Sequence, residues 1–275
     1  VKEKEVLQKN IFDVAVNFLS LGMDPDKSTF WVQSDVPEVL ELYWILSNHT
    51  PMGLLERAHS YKDKTARGIA SNHGLLSYPV LMAADILLFD SNIVPVGKDQ
   101  IQHVEIARDI ANTFNNTYGD ILTMPLSKVE ESLATVPGTD GAKMSKSYGN
   151  TIDMFGSKKG LKKQVMKIVT DSKELHEVKE YATCNVYKLC ELFMTEEELK
   201  VMQNRYATPG EGYGHFKIAL MDKINEHFAP YAEKREHFIN NPDEVKEILA
   251  KGAKKASKIA REKLNVIRDA VGLNY

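Results

Sequence analysis

Apolar positions recur along this chain mostly at helical spacing. In residues 3–21, Val6, Leu7, Ile11, Val14, Ala15, Phe18 and Leu19 fall on one stripe, which predicts an amphipathic helix stopped by Gly22. Asp24-Pro25-Asp26 reads as a turn, and Ser28–Gln33 (STFWVQ) has the β-branched and aromatic content of a buried strand. Pro37 suits a first helical turn, so a helix is predicted to about Ser47, and a second from Met52 to about Ala66. Pro79 is expected to open a strongly apolar helix from Val80 to about Phe89. A short strand, Ile93-Val94-Pro95-Val96, then leads through Gly97 into a helix from Asp99 to about Phe114.

Strands followed by helices predict an α/β fold, with a Rossmann-type parallel sheet in the first part of the chain. Ligands in such sheets lie beyond the strand C-termini, which places Ser34-Asp35 and Gly97-Lys98-Asp99-Gln100 near one rim. From about Gly156 helical periods dominate, punctuated by Pro209-Gly210, Pro230 and Asn241-Pro242. The expected division is therefore 1–153 for the α/β domain and 154–275 for an all-helical C-terminal domain.

Composition changes this picture little. The 275 residues are 43% hydrophobic and 27% charged, as in an ordinary globular protein, and no apolar run reaches the roughly 20 residues of a membrane helix. The chain begins Val1-Lys2-Glu3 without Met, shows no signal peptide, and reads as beginning partway into a longer product. Cys184 and Cys190 form no disulfide or zinc pattern, so free thiols in a reducing cytosol are expected, and no residue is expected to ligate a resident metal.

Charge is more informative. The net charge of −3 conceals a balance of −6 over residues 1–150 and +3 over 151–275. Near the end, Lys251, Lys254, Lys255, Lys258, Arg261, Lys263 and Arg268 face only Glu262 and Asp269. Such a run is either a solvated helix face or a contact for a polyanion. Lys254, Lys258 and Arg261, spaced four and three apart, share a face.

The segment richest in chemistry is Gly138-Thr139-Asp140-Gly141-Ala142-Lys143-Met144-Ser145-Lys146-Ser147. It lacks the spacing of a Walker A loop, yet it presents two ammonium groups and two hydroxyls from a Gly-rich turn. That set suits the charge that develops on a nucleotide triphosphate during transfer, although a lysine-bearing surface loop has the same composition. Asp85 sits within Leu81–Phe89, apolar on both sides, where a carboxylate is costly without a donor. It is either a structural Asp held by a protein donor or an acceptor aimed at a ligand.

Lys143–Ser147 matches in all five positions the KMSKS signature of class I aminoacyl-tRNA synthetases. The segments Tyr78–Leu88, Val94–Gln100 with His103 and Glu105, Thr50–Gly53 with Lys62-Asp63-Lys64, and Gly212-Tyr213-Gly214 resemble the bacterial tryptophanyl-tRNA synthetases within that class. The resemblance runs along essentially the whole chain. It implies ATP, with Mg²⁺, and L-tryptophan as substrates, tRNA(Trp) as partner, a cytoplasmic homodimer, and an anticodon-binding role for the helical domain 154–275. Residues 41–66 are the expected contribution to the dimer interface, ordinary core being the alternative.

Carried over residue by residue, the resemblance makes Asp85 the acceptor for the indole N–H. It makes Met82 a wall of the tryptophan pocket or a core residue, and gives Tyr78 and Gln100 contacts with the bound amino acid. Gly97, Lys98 and Asp99 would meet ATP, though Asp99 could equally be an N-cap, and Val136 would offer a backbone contact to adenine. Lys143, Met144, Ser145, Lys146 and Ser147 would grip the nucleotide, with Lys143 and Lys146 stabilising charge on the departing pyrophosphate. Lys254, Lys258 and Arg261 are the candidate tRNA contacts, and His103 is expected to be structural.

One departure stands out. The class carries an H-I-G-H-like motif after its first strand, and neither Asn48-His49-Thr50 nor Asn72-His73-Gly74 has its pattern or position. By resemblance, a segment of about 30 residues or more should precede Val1. Two rival readings follow: a tyrosyl-tRNA synthetase, which the Met82–Asp85 context disfavours, and a non-catalytic tRNA-binding paralogue or fragment.

Overall fold

The computed structural model describes residues 3–66, 68, 70–129, 136–145 and 148–275, the side chains of residues 60, 63 and 64 apart. Among these residues the chain forms eleven α-helices and two strands, arranged in two compact units. One comprises Val1–Ala15, Met23–Ala134 and Asn241–Tyr275, and the other Val16–Gly22 and Thr135–Asn240.

The helix α1 (Lys4–Ser20) forms as its periodicity predicts, but most of the stripe is not buried. Val6, Leu7, Ile11, Val14 and Phe18 are exposed, and burial is confined to Ala15, Val16, Leu19 and Ser20 near the end of the helix. Residues 28–32 do not form the expected strand. Val32 is extended, but no strand pairs with this segment among the described residues. Strand composition supplies a surface to pack and cannot supply a neighbour's hydrogen bonds.

In the first unit, α2 (Glu38–Ser47), α3 (Met52–Glu56), α4 (His59–Ala66), α5 (His73–Leu87) and α6 (Ile101–Tyr118) surround an apolar core of Leu42, Leu46, Leu87, Leu88, Ile110 and Phe114. The helix predicted over 52–66 is thus broken at Arg57-Ala58. α5 begins six residues before Pro79, because the Asn72 side chain accepts from the Leu75 amide and caps the helix there. Pro79 lies inside it and forfeits one intrahelical bond, which burial of Ser77, Val80, Ala83, Ala84 and Leu87 offsets.

β1 (Ile93–Pro95) and β2 (Leu126–Lys128) pair in parallel, Ile93 opposite Leu126 and Pro95 opposite Lys128, with α6 as their crossover. This small parallel sheet amid helices is the Rossmann-like part of the fold.

The last helix, α11 (Pro242–Val271), belongs to this first unit, so packing divides the chain differently from the sequence-based division at 153/154. Its buried residues Gly252, Ala256, Ala260, Leu264 and Ile267 recur at helical spacing, and the last four join the core. A Cβ at Gly252 would stand 1.8 Å from the Phe30 carbonyl oxygen, so only glycine permits this approach. Arg261 pairs with Glu38 at 2.6 Å, Lys263 with Asp90 at 2.6 Å, and Arg268 with Glu41.

The second unit is helical: α7 (Lys158–Met166), α8 (Asn185–Cys190), α9 (Glu196–Ala207) and α10 (Tyr213–Asn240). Its core gathers Leu161, Val165, Tyr206, Phe216, Leu220 and Ile224, with Tyr206 stacked on Phe216 at 4.0 Å. α9 opens on a capping box between Thr195 and Glu198. Pro230, expected as punctuation, lies within α10. Cys184 and Cys190 are free and buried, and burial pushes the Cys190 thiol up to about 12.

Candidate functional site

Asp85 occupies the last turn of α5 and is half-buried. Its Oδ2 accepts a 2.6 Å hydrogen bond from Gln33 Nε2, donated by the short 3-10 turn Gln33–Asp35. Together with Thr29, Phe30, Trp31 and Phe89 these two side chains line a cavity of about 270 Å³. Trp31 and Phe89 are tilted aromatic neighbours, their centroids 5.1 Å apart. Burial pushes the Asp85 carboxyl up to about 6 from an ordinary 3.8, against the pull of the Gln33 hydrogen bond. The cavity thus offers aromatic surface and one anchored carboxylate that ionises near neutrality.

Tyr78 and Met82 precede Asp85 by seven and three positions, and the three side chains lie on neighbouring rows of α5. Neither lines the Asp85 cavity. Met82 packs against the core of the unit, and the Tyr78 hydroxyl shares a 2.8 Å hydrogen bond with Nε2 of the buried His103 on α6.

Gly97–Gln100 lies just beyond the C-terminal end of β1, where ligands of parallel sheets bind. The Val96 amide donates to the Lys128 carbonyl at 3.0 Å, and the Gln100 amide to the Gly97 carbonyl at 2.9 Å, which closes a 3-10 turn over Lys98–Gln100. Lys98 and Asp99 are exposed, and the Gln100 side chain donates to Asp99 Oδ2 at 3.2 Å. A Cβ at Gly97 would stand 2.7 Å from Asp99 Oδ1.

In the second unit, the segment 136–145 folds back on itself. Lys143 is bridged to Pro137, Met144 donates to the Val136 carbonyl at 2.8 Å, and Gly138 donates to the Ala142 carbonyl at 2.7 Å. Asn150, which is buried, organises this turn. Its Oδ1 accepts from the Ser145 amide at 2.8 Å, and its Nδ2 donates to Asp140 Oδ1 at 2.8 Å and to the Lys143 carbonyl at 3.1 Å. A Cβ at Gly138 would fall 2.2 Å from Asn150 Nδ2, so the glycine makes room for the amide. The Asn150 hydrogen bond also holds the Asp140 carboxyl below its ordinary range. Lys146 and Ser147 lie outside the described residues.

On α11, Lys254 and Lys258 are exposed, but Arg261 donates from Nε to Glu38 Oε1. Burial pushes the Glu38 carboxyl up, and hydrogen bonds from Ser257 and Arg261 more than offset it, leaving the group below its ordinary range. Arg261 is thus engaged in anchoring its helix and does not stand with the two lysines as an uncommitted cation.

Two of these residues were not foreseen. Gln33 is 52 positions from Asp85, and no spacing rule connects them. Asn150 follows the signature loop closely, and a buried-type Asn beside a Gly-rich turn is the signal that could have marked it.

The family described as tRNA synthetases class I (W and Y) matches residues 2–229. A tryptophan–tRNA ligase of Campylobacter jejuni (strain RM1221) is 59% identical over 272 residues, 99% of this chain and 85% of that protein. A tryptophan–tRNA ligase of Fusobacterium nucleatum subsp. nucleatum is 52% identical over 270 residues, 98% of this chain and 83% of that one. The crystal structure of Campylobacter jejuni tryptophanyl-tRNA synthetase complexed with ADP and tryptophan superposes with a TM-score of 0.94 at 59% identity, covering 99% of this chain and 86% of that chain. With a family match spanning residues 2–229 and relatives of this identity along nearly its whole length, the chain belongs to the class I tRNA synthetases, in the tryptophan–tRNA ligase family.

Proposed function

We propose that this chain joins L-tryptophan to tRNA(Trp) at the expense of ATP, and that Asp85 reads the indole ring. The observation that carries this reading is the Asp85 carboxylate, held through Oδ2 by Gln33 in a small cavity walled by Trp31, Phe30 and Phe89. Among the described residues Gln33 is the donor to this carboxylate, and it bonds Oδ2, so Oδ1 is left for a ligand, and the indole N–H is a donor of suitable kind. A hydrogen bond to a charged acceptor is worth about 1.5–3 kcal/mol. A ligand without the N–H leaves the carboxylate unpaired, and sites of this type can reject such a ligand by about 10⁴-fold. Met82 and Tyr78 on the same helix, which lie outside the Asp85 cavity itself, and Gln100 beyond β1 are the further contacts with the amino acid in this reading.

The reaction needs positioning and charge stabilisation, with no protein nucleophile. A carboxylate oxygen of tryptophan attacks the α-phosphorus of ATP. The bond from that phosphorus to the bridging oxygen breaks, and pyrophosphate leaves as tryptophanyl-adenylate forms. A hydroxyl of the terminal ribose of tRNA(Trp) then attacks the acyl carbon, and AMP departs. In the first unit Gly97, Lys98 and Asp99 are nucleotide contacts in this reading; in the second unit the backbone of Val136 and the signature residues Lys143, Met144, Ser145, Lys146 and Ser147 have that role. Lys143 and Lys146 neutralise charge on the departing pyrophosphate.

Mg²⁺ enters with ATP as part of the substrate. Among the described residues no three His, Cys, Asp or Glu side chains gather to hold a metal of their own. Exposed Trp44 and Met52 support a homodimer face within residues 41–66, and tRNA charging fits a cytoplasmic protein. The helices of residues 154–275 serve anticodon binding.

The test is tryptophan-dependent exchange of labelled pyrophosphate into ATP, followed by charging of tRNA(Trp). A tryptophan analogue with sulfur in place of the ring N–H should exchange far more slowly than tryptophan. Equal rates for both ligands would remove Asp85 from the reading.

A further inference from the structure

Among the described residues, α7 concentrates more uncommitted positive charge than the C-terminal helix does. Residues 157–169 hold Lys158, Lys159, Lys162, Lys163 and Lys167 and no acidic residue. All five are exposed, and none makes an ion pair with a described residue. At 100° per residue the four within the helix fall in an arc of roughly 140°. Leu161 and Val165 bury the side that adjoins this arc beyond Lys158.

Two of these lysines occupy positions that helix electrostatics disfavours. The first turn of an α-helix carries unpaired N–H groups and a partial positive charge, so acidic residues belong there. α7 places Lys158 and Lys159 in that turn, directly after its N-cap Ser157, whose side chain accepts from the Gly160 amide. The opposite end shows the favourable arrangement: Lys217 on α10 sends its ammonium to the Met166 carbonyl at 3.0 Å. Local rules broken without compensation inside the chain are characteristic of functional surfaces.

On α11, by contrast, Arg261, Lys263 and Arg268 are tied to Glu38, Asp90 and Glu41. The cavity bordered by Lys158 is also lined by Glu226, Arg235 and Glu236, a mixed set of charges, whereas the lysine arc carries one sign only.

We propose that the lysine face of α7 is a contact surface for the phosphate backbone of tRNA. This rests on the tRNA-ligase reading above and deepens it by naming a surface. Clustered lysines without aromatic or amide groups among them bind phosphates and carry no base readout, so the contact supplies affinity and orientation rather than identity.

The test uses the full chain with Lys158→Glu/Lys159→Glu, and a second variant neutralised at four positions (Lys158→Gln, Lys159→Gln, Lys162→Gln, Lys163→Gln). Both should keep tryptophan-dependent pyrophosphate exchange. The Glu variant should melt at the same temperature as the parent or higher, because acidic residues suit a first helical turn. Affinity for tRNA(Trp) should fall roughly ten- to hundredfold in both variants, and the slope of log affinity against log salt should flatten by about 0.7–0.9 per lost phosphate contact. Parental affinity and slope in the Gln variant would overturn the proposal, even if the Glu variant bound poorly, since that would be repulsion acting at a distance. A parent that makes adenylate but neither binds nor charges tRNA(Trp) would overturn the underlying reading instead.

Discussion

Lowering the pH from about 7.5 to about 5 in a tryptophan titration should act chiefly on one group of the pocket, Asp85, whose carboxyl burial pushes up to about 6. The folded value lies above the ordinary 3.8, so the protonated form is the better tolerated one inside the protein. Its contribution to stability is therefore fully present below about pH 3.8 and is lost as the pH rises through about 6. A shift of roughly two units corresponds to about 3 kcal/mol at full strength, and to about 1–2 kcal/mol once water on the open side of the cavity screens the charge.

Tryptophan affinity should move in the opposite sense to stability. A charged acceptor is worth about 1.5–3 kcal/mol and a neutral one about 0.5–1.5, so protonation should weaken binding by roughly 1–2 kcal/mol, on the order of tenfold. Calorimetric titration across this range, with thermal unfolding in the same buffers, measures both effects. Asp85→Asn should bind tryptophan more weakly and lose the pH dependence. It should also gain stability over the parent at pH 8, with the gain shrinking towards pH 4. A parent whose tryptophan affinity is flat across the range, or an Asn variant that keeps the parental profile, would refute the assignment.

Gln33→Leu removes the donor that holds Asp85 Oδ2, so the midpoint of the tryptophan pH profile should rise above that of the parent and affinity at pH 7 should drop, as the same titration would show. Gly252→Val puts a side chain where the first atom already meets the Phe30 carbonyl, and urea unfolding should show a loss of about 3 kcal/mol or more. Asn150→Ala releases Ser145, Asp140 and the Lys143 carbonyl at once, so pyrophosphate exchange should slow by about tenfold or more while tryptophan affinity stays near the parental value; rate and affinity measured on the same preparation separate the two.

Residues adjacent in sequence account for what could be read without the fold. The apolar period of α2 and of α6 and the Lys143–Ser147 signature are local features, because helical neighbours lie within four positions of one another. Asp85 was conspicuous for the same reason: a carboxylate in an apolar run is costly wherever the chain goes. Periodicity also predicted the helix at 4–20, but it could not say which face the protein would cover, and the apolar stripe of α1 is largely exposed.

The remaining features depend on partners distant in sequence. Whether Ser28–Gln33 became a strand turned on a neighbouring ladder, and the segment instead supplies Trp31 and Gln33 to the Asp85 cavity. Pro79 reads as a helix start until tertiary packing of α5 offsets its missing hydrogen bond. The basic run of α11 looked like a polyanion face until Glu38, Glu41 and Asp90, more than 170 positions earlier, engaged three of its cations. Those carboxylates neutralise charge through space, and their distance along the chain hides them from any reading of spacing. For that reason the sequence alone determined the helices and the signature loop, and only the tertiary structure decided which charges remain for a ligand.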